Sequence, residues 1–452
     1  MLVQKFGGTS VADPDAVRRL IEIARAARAR DGRGPVLVVS ALSGVTDALL
    51  SVAAEAGAAQ VERALSHVDL LRARHLTMAQ ALVGDGQLAS LSAHLDAQFD
   101  QLAAVVKALG VLREVSSGTL DVIASMGELL SSRIVADALV NAGLPGEWVD
   151  ARQAIVTTDD YTRAVPLMRE TTAALRASVL PAVEGGRVPV IGGFVGATAQ
   201  GHTTTLGRGG SDYSAAIVGA GIGAGEIQIW TDVDGMLTAD PRIIPQPRLV
   251  PRLSFAEAAE LAYFGAKVLH PSTIHPAVER NIPVRILNSR KPDGTGTLIT
   301  AEAPPGASPI TAMAAKRDIT VVDITSDRML MAYGFLRRVF EVFERFQTAV
   351  DVVTTSEVSV SVTVDDRRHL EAIVDALSQF AEVAVEPEMA LLCAVGDRLR
   401  AEPAIAARIV GMLEEVPLRM ISQAASRRNI TVVIRQADLP QAMHRLHEEF
   451  FA

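Results

Sequence analysis

Val3-Gln4-Lys5-Phe6-Gly7-Gly8-Thr9-Ser10, followed by Asp13-Pro14, decides how the rest of the chain is read. Val3 to Phe6 is a short apolar run ended by a glycine pair. Asp13 suits a helix cap, and Pro14 suits the first helical position, whose N–H has no intrahelical partner. Val17, Leu20, Ile21 and Ala24 then recur at helical spacing until Gly32 and Gly34. Pro35-Val36-Leu37-Val38-Val39-Ser40 is a continuous apolar run, as in a strand covered on both faces. The pattern is strand, helix, strand, which predicts a parallel pair.

Working outward, residues 47–110 are rich in Ala and Leu without a strand signal, and read as a helical insertion. Further buried strands are expected at Val188–Ile191, Ile227–Thr231 and Val284–Leu287. The fold class is therefore α/β, a mainly parallel sheet between helices, over a first domain of residues 1–299. Residues 300–318 read as a linker that also carries the first strand of a second region. Beyond it the order strand, helix, strand, strand, helix, strand spans 319–386, and a similar order recurs over 387–452. These are two ferredoxin-like modules.

Composition narrows the function. The chain has 452 residues, 49% hydrophobic and 21% charged, the balance of folded domains. Lys plus Arg number 43 against 52 Asp plus Glu, a net charge of −9, which disfavours nucleic acid or an anionic membrane as partner. Cys393 is the one cysteine, so an intrachain disulfide or a thiolate zinc site is excluded. The opening residues carry no export signal and no apolar run is long enough to span a membrane, so the expectation is a cytoplasmic protein.

The chemistry gathers in glycine-rich turns. Lys5-Phe6-Gly7-Gly8-Thr9-Ser10 places a cation and close-approach backbone beside a helix start, which suits a phosphate or a simple tight turn. Gly207-Arg208-Gly209-Gly210-Ser211-Asp212 precedes an apolar helix; Arg208 suits a carboxylate or phosphate. Thr231-Asp232-Val233-Asp234-Gly235, running to Arg242, sits beyond a strand's carboxyl end, where ligands bind in open α/β sheets. Lys267 lies in the apolar stretch Phe264–Pro271. No P-loop or protein-kinase signature is present. Gly219–Gly225 follows a helix and precedes a strand, the wrong order for a dinucleotide loop.

Together these clusters resemble the aspartate kinases of the amino acid kinase family, over nearly the whole chain. The resemblance rests on Lys5–Ser10, Thr204–Asp212, Thr231–Gly235 and Phe264–Pro271, in family order. It implies an amino acid kinase domain followed by two ACT modules, and transfer of the ATP γ-phosphoryl group to the side chain of L-aspartate, with Mg²⁺. That reaction opens aspartate-family amino acid biosynthesis. The resemblance implies catalytic roles for Lys5 and Asp212. It places aspartate at Ser40, Thr46, Glu128, Phe194, Arg208 and Ser211. It places ATP at Lys5, Gly7, Gly8, Thr231, Asp232, Arg242 and Lys267. No protein side chain is expected to ligate the metal.

Gly334-Phe335-Leu336 and Thr354–Val360 are most similar to lysine-inhibited members. That likeness implies a lysine site at Met329, Gly334, Phe335, Leu336, Asp351, Ser356, Glu357 and Val358. It also implies a homodimer through the ACT modules, with a tetramer as the alternative. Leu237 stands where relatives often carry Tyr, and Ala332 where they often carry Ser. The competing readings are another amino acid kinase and a catalytically silent amino-acid sensor.

Overall fold

The opening strand β1 (Leu2–Phe6) is buried throughout, and α1 (Pro14–Asp31) follows it. The Ala16 amide donates to the Asp13 carboxylate at 2.8 Å, and Gly32 ends the helix at φ 66°. Both ends are thus set by the residues that sequence reasoning chose. The computed structural model describes residues 1–265, 269, 271–302, 308–326, 333–397, 399, 402–423 and 426–451. The chain divides into two compact units: 1–236 with 269–302, and 237–268 with 303–452.

In the first unit, β2 (Val36–Val39) leads to α2 (Val45–Gly57), α3 (Val61–Leu82), α4 (Asp85–Leu112) and α5 (Ser117–Asn141). Then come β3 (Gly146–Val149), α6 (Ala151–Ala154), β4 (Val156–Thr157), α7 (Met168–Ser178), α8 (Leu180–Glu184), β5 (Val188–Gly192), β6 (Val195–Thr198), β7 (Thr203–Thr205), α9 (Gly210–Ile222) and β8 (Glu226–Thr231). An excursion into the second unit carries β9 (Arg252–Ser254) and α10 (Phe255–Tyr263). On return come α11 (His275–Glu279), β10 (Val284–Asn288) and β11 (Thr297–Thr300).

The strands β3-β5-β2-β1-β8-β10-β11 lie side by side in that order. All of these neighbours are parallel except β10 with β11. The carboxyl ends of β1, β2, β5 and β8 therefore share one edge, and the glycine turns leave from it. The predicted helical insertion is α2 to α4, whose apolar faces join β1, β2, α1 and α5 in one buried cluster. A small sheet β4-β6-β7 stands apart from the main one. It was not read from the sequence, because strands this short carry too little alternation. Gly223 ends α9 at φ 67°, so the Gly219–Gly225 run is a helix terminus.

The second unit is built on one six-stranded sheet, order β13-β14-β12-β15-β17-β16. Its strands are β12 (Ala312–Thr325), β13 (Val353–Thr355), β14 (Ser359–Val364), β15 (Glu382–Val395), β16 (Met420–Ser422) and β17 (Asn429–Arg435). Its further helices are α12 (Phe335–Arg345), α13 (Leu370–Ser378), α14 (Pro403–Met412) and α15 (Leu439–Phe451). The expected boundary at 386/387 falls inside β15, a single continuous strand. Ala312–Lys316 pairs with Leu391–Val395, whereas Ile319–Thr325 pairs with Glu382–Met389. One long strand pair thus serves both modules, with a register shift between Lys316 and Ile319 where Asp318 turns to φ 59°. Two separate cores result, one around Val339, Phe343 and Ile373, the other around Leu392, Ile409 and Met443.

The reading of 1–299 as one block also differs from the structure, because 237–268 packs in the second unit. Ala239, Ile243 and Ile244 enter its core with Met313 and Leu392. The Met313 amide donates to the Thr238 carbonyl at 2.8 Å. Glu257 caps α10 through Ser254 and accepts from the Thr311 hydroxyl at 2.6 Å.

Candidate active site

The Lys5 side chain leaves the carboxyl end of β1 and meets Asp212, in the first turn of α9, at 2.6 Å. Lys5 is only 9% exposed, so this charge is held by its partner and by whatever binds beside it. Gly7 follows at once; its amide donates to the Trp230 carbonyl at 3.1 Å, which carries the turn across β8. A Cβ on Gly8 would stand 3.3 Å from the Ala41 carbonyl. The β1 turn and the β2 turn are therefore packed backbone against backbone.

Two compartments open around Lys5. One, of about 520 Å³, is lined by Ser40, Thr46, Glu128, Phe194 and the 207–212 turn. The other, of about 470 Å³, is lined by Gly7, Gly8, Thr9, Ala41–Gly44, Thr231 and Asp232. Lys5, Ser40, Thr46, Glu128 and Ser211 line both. A cation thus sits at the wall shared by two ligand-sized spaces.

The supporting loops are tied down. Ser40 donates its amide to the Phe6 carbonyl at 3.0 Å, and its own carbonyl accepts from the Ser131 hydroxyl at 2.8 Å. Arg74 of α3 donates to the Ser43 carbonyl at 2.9 Å. Phe194 adopts φ 66°, a costly conformation for an aromatic residue. Its amide is held by the Ser214 hydroxyl at 2.8 Å. A Cβ on Gly193 would fall 2.8 Å from the Ser211 Cβ, so only glycine fits behind that serine.

Glu128 lies in the middle of α5, not at a helix start, and is 4% exposed. Burial pushes its carboxyl up to about 8, against smaller opposing effects of the Ala41 amide and the Lys5 charge. Its Oε2 has no hydrogen-bond partner among the described residues. A buried acid with an open oxygen is poised to meet a donor, above all a cation. Arg208 is exposed on the same compartment, with no partner among the described residues.

Several expected residues fall elsewhere. Asp234 is not open to a ligand: Asn288 donates to it at 2.5 Å and Lys291 at 2.7 Å, and Lys291 foremost lowers its carboxyl from the ordinary range. Arg242 lies in the second unit, where its guanidinium pairs with Asp240 at 2.6 Å. Lys267 lies outside the described residues. Sequence reasoning missed Asp121, also of α5, which lines the first compartment at 1% exposure. The i, i+7 spacing of Asp121 and Glu128 on one helix was the available signal.

Among the effector residues, Met329 and Ala332 lie outside the described residues. Gly334 begins α12 at φ 83° and Phe335 is buried, while Leu336, Ser356, Glu357 and Val358 are exposed. Asp351 is already engaged: Lys316 reaches it at 2.9 Å and also holds Asp365 at 2.6 Å. The Asp351 amide pairs beside Thr363, whereas Ser356–Val358 forms the turn at the other end of the β13–β14 hairpin. Five residues of extended chain separate them by about 16 Å. Asp351 and Ser356–Val358 thus stand at opposite ends of the hairpin.

Comparison with known proteins agrees with this geometry. The Amino acid kinase family pattern matches residues 1–288, and an ACT domain pattern matches 392–450. Aspartokinase 1, chloroplastic, of Arabidopsis thaliana is 36% identical, covering 99% of this chain and 80% of that protein. The chain belongs to the aspartokinases of the amino acid kinase family. Among solved aspartokinases, E. coli aspartokinase III in complex with lysine and aspartate (T-state) superposes with a TM-score of 0.84 at 33% identity over 100% of both chains. The same enzyme in complex with aspartate and ADP (R-state) gives 0.82 at 32%, again over 100% of both. Among the described residues, no aspartokinase helix here is long and apolar enough to cross a membrane.

Proposed function

We propose that the chain transfers the γ-phosphoryl group of ATP to the side-chain carboxylate of L-aspartate, giving 4-phospho-L-aspartate and ADP. The observation that carries the reading is Lys5, paired to Asp212 on the wall common to both compartments. A carboxylate oxygen forms the new bond to phosphorus as the bond to the ADP oxygen breaks. The nucleophile is already ionised, because its pKa is about 4, so no proton needs removing. The protein's work is alignment and neutralisation of charge.

In this reading Lys5 meets the oxygens of the transferring group, and Asp212 holds its ammonium in place. Gly7 and Gly8 admit the phosphates, with Thr231 and Asp232 bordering the nucleotide. Arg208 takes the α-carboxylate and Glu128 the α-ammonium. Ser40, Thr46, Phe194 and Ser211 shape the acceptor compartment. Mg²⁺ enters with ATP and screens its phosphates. No cluster of metal ligands occurs among the described residues, and Asp212 is committed to Lys5.

Lysine is the proposed effector, at residues around Gly334–Leu336, Asp351 and Ser356–Val358. The separation of Asp351 from Ser356–Val358 along the hairpin supports a homodimer, in which two chains supply the two halves. The working site is cytoplasmic in this reading.

The test is an aspartyl-hydroxamate assay with ATP and Mg²⁺, in which hydroxylamine traps the acyl phosphate. Turnover on aspartate is expected, falling with millimolar lysine. Turnover with another acidic substrate but none with aspartate would overturn the reading.

A further inference from the structure

Asp121 is a buried carboxylate with no cationic partner among the described residues, though it lines the acceptor compartment. Its oxygens are instead taken by neutral donors. The Thr162 amide donates at 2.9 Å to Oδ2 and at 3.1 Å to Oδ1. The Thr205 amide donates at 3.0 Å, and the Thr205 hydroxyl at 2.7 Å. A carboxylate held only by neutral donors is a costly way to join two loops.

The identity of the joined loops is informative. Asp121 and Glu128 rise from the same face of α5. Thr205 ends β7, and Gly207 and Arg208 come directly after it. The Ala164 amide donates to the Thr205 carbonyl at 2.9 Å, which ties the 158–166 loop to β7. Thr162 holds φ 70°, and a Cβ on Gly207 would stand 3.1 Å from its carbonyl. The Leu206 amide donates to the Phe194 carbonyl at 2.9 Å. One carboxylate thus fastens the loops that place Arg208 and Phe194 to the helix that places Glu128.

We propose that Asp121 is a positioning residue for substrate length: by tying the Arg208 loop to the Glu128 helix it fixes that pair at a distance from Lys5 that suits a four-carbon acidic amino acid and not its five-carbon homologue. The inference rests on the aspartate kinase reading of the site. Arg208 and Glu128 hold the α-carboxylate and α-ammonium, while Lys5 marks where the reacting carboxylate must lie. Between those fixed points one methylene more places the nucleophile out of line with phosphorus. Rigid walls reject it; walls released from α5 accommodate it.

The experiment compares the full chain with Asp121→Asn and Thr205→Val, assaying hydroxamate formation from aspartate and from glutamate. Asp121→Asn keeps the shape but sets an NH₂ group against an amide donor; Thr205→Val keeps the carboxylate and removes one donor. For both variants the aspartate KM rises about tenfold, as expected for lost bonds to a charged group, with the ATP KM unchanged. The ratio of kcat/KM for aspartate over glutamate falls by about tenfold or more in Asp121→Asn and by less in Thr205→Val. Wild-type turnover with an unchanged ratio in both variants overturns this inference alone. Equal losses toward both substrates, or an ATP KM that rises in step, also overturn it. Absence of aspartate turnover in the wild type overturns the functional reading beneath it.

Discussion

Glu128 shows how position within an element sets a residue's chemistry. Mid-helix burial holds its carboxyl up to about 8, so at pH 7 the unliganded site is largely neutral. An arriving ammonium favours the charged form, so substrate binding releases a proton. The aspartate kcat/KM should therefore rise with pH, about fivefold from 7 to 8, then level off. Glu128→Gln should flatten that profile while raising the aspartate KM; a wild-type profile flat across this range would remove Glu128 from the ammonium site. Lys5→Ala should lower kcat by roughly 10³, the usual loss when a charge-stabilising donor is removed, with an unchanged circular dichroism spectrum. Near-normal kcat would refute its role. Gly193→Ala is expected to displace Ser211, since the added Cβ overlaps its side chain.

At the scale of elements, the chain's local signals and its tertiary contacts divide the work. α1 is capped by Asp13, and Asp13→Ala should cost about 1 kcal/mol, read from denaturant midpoints. Lys316 illustrates the other kind of control. It bridges the bulged strand β12 to Asp351 and Asp365. Lys316→Ala leaves two carboxylates without their cation and lowers the melting temperature. Free lysine should restore more stability to that variant than to the wild type. Equal shifts would place the effector's ammonium away from Asp351. Cys393 sits in β15 at 0% exposure, and burial pushes its thiol up to about 12. It should resist alkylation in the native protein and react only on unfolding.

For the whole molecule, the decisive feature is the excursion of 237–268 out of the first unit. Each unit has its own buried clusters, so calorimetric unfolding should depart from a single two-state transition. Lysine should raise the component that belongs to the second unit. A single two-state transition, shifted as one by lysine, would show that the units unfold together.

The glycine turns, the caps of α1 and the apolar strands were legible in the sequence because their causes are local. A positive φ, an orphan amide or a strand buried on both faces selects its residues within a few positions. That was enough to place Lys5, Gly7, Glu128, Arg208 and Asp212 in one family pattern. Three things were decided only by the tertiary structure. Asp121 gains its meaning from Thr162 and Thr205, which are distant in sequence. Asp234 and Asp351 lose their openness to Lys291 and Lys316, which no spacing rule connects to them. The division of β12 and β15 between two modules comes from strand pairing, and pairing partners lie beyond the reach of local periodicity.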